Sequence, residues 1–162
     1  MAVTSSDIKY FLSTNGLGGN ITATQIVSGD LHNVFDIVSK DESRDGDVEY
    51  RCIYVKNTNA IDTFKEVTTY LTSQTPSVTT SLAFGLGTAA VGGIEQTVID
   101  ESTAPIGVSF TESLGSGNAQ SIGDIAPNLH KAIWLRRTIQ SGTSAASTDT
   151  ATITVDGSTT AA

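Results

Sequence analysis

The run Glu49–Asn57, EYRCIYVKN, limits the fold more than any other stretch of this chain. In an extended backbone Tyr50, Cys52 and Tyr54 point one way and Arg51, Ile53 and Val55 the other, because strand side chains alternate with a period of two. Neither set is wholly polar. A strand with apolar surface on both faces needs cover on both. One cover is the core of its own domain; the other is more of this chain or a partner.

A second strong strand, His130–Ile139 (HKAIWLRRTI), poses the same question. Ile133, Leu135 and Ile139 share one face, and Ala132, Trp134 and Arg136 the other. If the two strands are neighbours, their second faces join in one aromatic patch. The segment Leu31–Val38 folding back is the expected cover for Tyr50, and another subunit the expected cover for Trp134.

Shorter signals fill the rest of the chain. Strands are predicted over Ile8–Leu12, Ile21–Val27, Thr63–Thr72, Val78–Phe84, Ile94–Ile99, Ile106–Phe110 and Ala151–Val155. Turns fall at Asn15–Gly19, Ser28–Asp30, Asn57–Ala60 and Gly115–Asn118. Gly85–Gly93 reads as a loose connection, Ile122–Asn128 as a lead-in to the Trp134 strand, and Ser141–Thr150 as a low-complexity loop. Leu31, Val34, Phe35 and Val38 fall at helical spacing, so one or two helical turns or a structured loop are expected there.

Short strands with frequent turns predict an all-β fold: a single β-sandwich, immunoglobulin-like, with a jelly roll as the alternative and at most a short helix near 31–38. Ser and Thr make up about a quarter of the residues, which suits strands and turns better than helices. At 162 residues the chain fits one domain with a real core. Residues 1–30 are expected to form an N-terminal arm and first strands packed on the domain, 31–157 the sandwich, and 158–162 a flexible tail.

Charge narrows the partners. The net charge is -8, and Arg136–Arg137 is the only adjacent Lys/Arg pair, so no basic footprint for nucleic acid is visible. No apolar run approaches the ~18 residues that would span a bilayer, and the first residues do not have the build of a secretory signal. The chain is therefore expected to fold in the cytosol. Cys52 is the only cysteine, which rules out an intrachain disulfide. Its apolar setting reads as that of a small buried hydrophobe.

Few residues offer chemistry. The acidic stretch Asp41–Glu49 places Asp41, Asp45, Asp47 and Glu49 at alternate positions around Gly46, which partly matches a calcium loop. The match stops at Cys52, where a bidentate Glu belongs, and no flanking helices are predicted. The plainer expectation is a solvated acidic turn, with no cofactor and calcium as the only candidate ion. Gly85, Gly87, Gly92 and Gly93 lack the Lys-Ser/Thr and the helix of a phosphate loop. His32 and His130 show no metal-ligand spacing, and Ser116 lacks the glycines of a nucleophile elbow. Trp134, Arg136, Tyr50 and Tyr54 are the expected interface anchors, since Trp, Tyr and Arg dominate binding hot spots.

Three segments resemble a family of small virion proteins of tailed bacteriophages: Ile8–Gly19, Leu31–Asn57 and Ile125–Thr138 (IAPNLHKAIWLRRT). They cover under half the chain and carry no catalytic residue. The resemblance implies a non-enzymatic virion structural protein, foremost a capsid decoration or cement protein that binds the major capsid protein, with homo-oligomers on the particle. A tail or head–tail connector protein is the alternative within that class. A carbohydrate-binding sandwich using Trp134, the tyrosines and calcium is the alternative outside it.

Overall fold

The computed structural model describes residues 2–144 and 149–159. The strands are β1 (Ile8–Ser13), β2 (Gly18–Gly19), β3 (Ile21–Ile26), β4 (Asp47–Asn57), β5 (Phe64–Ser73), β6 (Thr80–Leu86), β7 (Glu95–Thr97), β8 (Gln120–Ile125), β9 (His130–Ile139) and β10 (Thr152–Ser158). One α-helix, α1, spans Lys40–Asp45. The strands pair antiparallel in a five-stranded sheet ordered β3-β1-β4-β9-β6, a three-stranded sheet ordered β10-β5-β8 and the small ribbon β2-β7. The chain is thus an all-β sandwich. An immunoglobulin-like strand order is not part of what these pairings show.

The two long sequence runs are the middle of the larger sheet. β4 and β9 pair without a register break from Asp47↔Ile139 to Lys56↔His130. β4 is flanked by β1 and β9 and is therefore internal. Ile53, Val55, Ile133 and Leu135 face the second sheet and pack with Phe64, Val67 and Leu71 of β5, Phe84 of β6 and Ile125 of β8. Each such side chain contributes ~1.5–3 kcal/mol on burial, so this slab is the main source of stability.

The opposite face carries Cys52, Tyr54, Ala132 and Trp134, all buried, with Val98, Val108 and Phe110 packed on them. Its cover is the chain's own 93–111 segment. Val98 N–H donates to Leu17 O at 3.0 Å, and Tyr50 N–H to Glu101 O at 2.6 Å, so the segment is held to the backbone. The expected cover was Leu31–Val38 and a second subunit. Leu31–Val38 instead packs on the inner face, where Val34 and Phe35 meet the main core.

Other boundaries moved for local reasons. Leu31–Val38 forms turns and bends, not a helix. The helix lies just downstream because Ser39 caps it: Glu42 N–H donates to Ser39 Oγ at 3.2 Å, and Ser39 N–H to Glu42 Oε2 at 2.6 Å. Gly46, at φ 82°, turns the chain from α1 straight into β4. Ile106–Phe110 is not a strand; it covers Gly85, where an added Cβ would stand 2.5 Å from Ser109 O. Of Ile94–Ile99 only Glu95–Thr97 pairs. The expected lead-in Ile122–Asn128 begins inside a strand, β8, which runs over Gln120–Ile125. β1 and β3 belong to the large sheet, so these first strands are part of the sandwich. β10 runs on to Ser158, and residues 145–148 of the expected loop and 160–162 of the expected tail lie outside the described residues.

Candidate functional site

The most unusual chemistry lies where β4 and β9 begin and end. Glu49 and Arg137 are register partners. The Glu49 side chain is fully buried, and Arg137 Nε donates to its Oε2. Arg137 also donates from Nη1 to Asp36 O at 2.8 Å and reaches Asp36 Oδ1 from Nη2 at 3.4 Å. Arg51, two residues along β4, donates to Glu101 Oε2 and lies 3.7 Å from Asp36 Oδ1. The Phe35 ring sits under both guanidiniums, at 4.8 Å from Arg137 and 5.7 Å from Arg51. Leu31–Val38 thus delivers one aromatic ring and one carboxylate to two strand arginines. A lone carboxylate in this place would cost several kcal/mol, of which the pair repays a part. Burial pushes the Glu49 pKa up; Arg137 pulls against it, and Asp36 and Glu42 add to the rise.

The four residues of the acidic stretch are not brought together. Asp41 and Asp45 lie on α1 with exposed side chains and pair with Arg44, at 2.8 Å and 2.6 Å. Asp47 and Glu49 follow on β4, two apart and so on one face. The third member of their group is Glu42, which sequence spacing did not single out: carboxylate oxygens of Glu42, Asp47 and Glu49 lie within 4.8 Å of one another. The Ser39-x-x-Glu42 capping signature was the available clue, because it places a helix where a loop was expected.

The expected interface anchors divide. Trp134 and Tyr54 are buried beneath the 93–111 segment. Tyr54 OH donates to Gly19 O and accepts from Glu95 N–H at 3.1 Å, and His130 meets its ring edge-on at 4.8 Å. These two side chains are internal anchors, contrary to the expectation that they meet a partner. Tyr50 and Arg136 are register partners and remain half-buried around Phe110, with Tyr50 5.5 Å from that ring and the Arg136 guanidinium 5.5 Å above it. Arg136 also bonds Glu112 at 2.9 Å.

The glycine-rich 85–93 connection does cradle an anion, and it is one of the chain's own. The Glu95 carboxylate accepts from Thr88 N–H at 3.2 Å, Ala89 N–H at 2.9 Å and Thr88 Oγ1 at 3.1 Å. Gly87 has no room for a side chain there, since a Cβ would lie 2.2 Å from Glu95 Oε2. Burial raises the Glu95 pKa, but the bonds from Ala89, Thr88 and Gln96 outweigh it and leave the pKa below its ordinary value. Lys131 closes the loop with a 2.8 Å bond from Nζ to Gly87 O.

A cavity of about 650 Å3 opens between residues 26–40 and the inner face of the large sheet, with Tyr10, Leu82, Leu135 and Ile153 on its walls. Among the described residues no helix is long and apolar enough to cross a membrane. No known protein family, characterised protein or solved structure matches this chain.

Proposed function

We propose that this chain is a non-enzymatic structural protein of a bacteriophage virion, and within that class a capsid decoration protein that binds the major capsid protein. One observation carries the reading. The three segments that resemble virion proteins, separate in sequence, come together in space: Ile8–Gly19 supplies β1, Leu31–Asn57 supplies β4, and Ile125–Thr138 supplies most of β9. Those are adjacent strands at the centre of one sheet. The resemblance therefore covers one physical unit, including the Glu49–Arg137 pair and the buried Trp134.

The surface offers the contacts such a role needs. Ile99 and Ile106 stand 86% and 84% exposed on the 93–111 segment, and Ile94 lies nearby in the chain at 66%. Gln96 ties the segment to itself, with its side chain bonded to Ile106 N–H at 2.8 Å and Ile106 O at 2.7 Å. A segment that presents outward isoleucines suits docking against coat subunits, where attachment at many copies multiplies a modest single affinity. Tyr50, Arg136 and Phe110, half-buried against one another, add hot-spot residue types.

The test is binding to purified shells of the phage that encodes the chain. Shells should take up the protein to saturation and resist heating better once decorated. Ile99→Asp combined with Ile106→Asp should abolish uptake and leave the melting temperature of the free protein unchanged. No uptake by shells, or uptake unaffected by the double change, would overturn the reading.

A further inference from the structure

We propose that Glu42, Asp47 and Glu49 form a calcium site that clamps α1 to the start of β4. The geometry starts from Glu49. Its side chain is fully buried, Oε2 is committed to Arg137, and Oε1 has no hydrogen-bond partner among the described residues. An unpaired carboxylate oxygen in that position is costly, so it calls for a cation or a donor. Glu49 belongs to two acidic groups. The one with Asp36 and Glu101 is already laced by Arg51 and Arg137. In the one with Glu42 and Asp47 the guanidinium bond among the described residues is Arg137's to Glu49 Oε2, because Arg44, the arginine of α1, is turned to Asp41 and Asp45. Oε1 is the oxygen left for that second group.

The dimensions suit one ion. Calcium binds oxygen at about 2.3–2.6 Å, so two ligands on opposite sides of it lie up to about 5.2 Å apart. The three carboxylates each place an oxygen within 4.8 Å of the others. An all-oxygen set selects a hard cation. Three carboxylates less the charge of Arg137 leave two negative charges, which one divalent ion balances. Glu42 and Asp47 are half-buried, so water completes the shell from outside.

The ion would hold a weak corner. A six-residue helix does not stand alone in water. α1 is also what receives the connection after β9: Gly142 N–H donates to Ser43 O at 2.8 Å and Thr143 N–H at 3.1 Å. Calcium at Glu42, Asp47 and Glu49 therefore joins the helix, the central strand and the path toward β10.

Isothermal titration of chelator-treated protein with calcium chloride tests the site, alongside thermal melting with and without the ion. The expected result is saturable uptake of one calcium per chain and a higher melting temperature, with magnesium binding more weakly. Glu42→Gln with Asp47→Asn changes only half-exposed groups, so the chain should fold as before, and its calcium affinity should drop at least tenfold. Asp41→Asn with Asp45→Asn should bind as the unchanged protein does. Absence of uptake up to about 10 mM calcium, well beyond the weakest sites of this kind, would overturn the proposal. So would uptake that survives the Glu42/Asp47 change, or that is lost with the Asp41/Asp45 change.

Discussion

Gly18 lies directly on the indole of Trp134: a Cβ added to Gly18 would stand 3.1 Å from Cζ2 and 1.9 Å from the carbonyl oxygen of Gln96. The glycine-rich turn after β1 is thus the lid of the aromatic face. Ser13 fixes it from below, taking the Gly18 N–H at 3.0 Å and donating to Cys52 O at 2.7 Å. This contact is why Trp134 needs no partner molecule for its cover.

Replacing Gly18 with alanine should therefore be severe. Its φ of 90° is a conformation that side chains rarely adopt, and the methyl group meets backbone. The expected loss is about 2–4 kcal/mol, from strain and overpacking together. Gly117→Ala is the control, with open space at the Cβ position, and should change stability by under about 0.5 kcal/mol. Urea unfolding followed by Trp134 fluorescence reads both. Equal midpoints for the two variants would contradict the packing described.

Arg137→Ala should cost about 3–5 kcal/mol, because it strands the Glu49 carboxylate in the interior. The paired change Glu49→Leu with Arg137→Met should cost clearly less, since no charge is then left unmatched. The denaturation midpoints of the two variants and of the unchanged protein decide it. A single-variant loss under about 1 kcal/mol would mean that Glu49 finds water or another donor.

How much of this was legible in the sequence depends on which forces wrote it. Period-two alternation marked β4 and β9 because both faces of both strands are packed, and it gave the sandwich. It also marked Ile53/Val55 and Tyr50/Cys52/Tyr54 as opposite faces. It could not say what covers the second face, since the cover is an irregular segment with almost no pattern. Ile106–Phe110 looks like a strand and lies flat as a loop, because Gly85 lets it approach. The acidic site was half visible. Asp47 and Glu49 follow from alternation, but Glu42 arrives by a helical turn, and Asp41 and Asp45 leave by the same turn.

Acid should destabilise the fold through His130. Burial holds its imidazole below the ordinary value of 6.5, with a ring N–H bond to the Gly93 carbonyl opposing the effect and Lys56 adding to it. The unfolded chain then binds a proton that the folded chain refuses. Stability from this group is complete above pH 6.5 and falls with pH from there down to the lowered folded value. His130→Phe should flatten that part of the stability–pH curve while keeping a ring against Tyr54. Melting temperatures at several pH values between 7 and 5 check it, and a slope unchanged by the substitution would point to another group.

Cys52 should report how the aromatic face opens. Its thiol is buried, and burial pushes its pKa far above the ordinary value. A thiol reagent should therefore leave the native protein almost unlabelled and modify one cysteine per chain in denaturant. The route to labelling is the sharper question. The 93–111 segment lies on Cys52's face through a few bonds and one short ribbon, whereas the sheet beneath it is paired along every strand. Segments with so little pairing open at lower free energy than the sheet they cover. Labelling at low urea should then be faster than global unfolding allows and depend only weakly on urea, because little surface is exposed in the opening. At higher urea the dependence should steepen and join the global line. A labelling rate that follows the global slope at all urea concentrations would show instead that cover and sheet unfold as one.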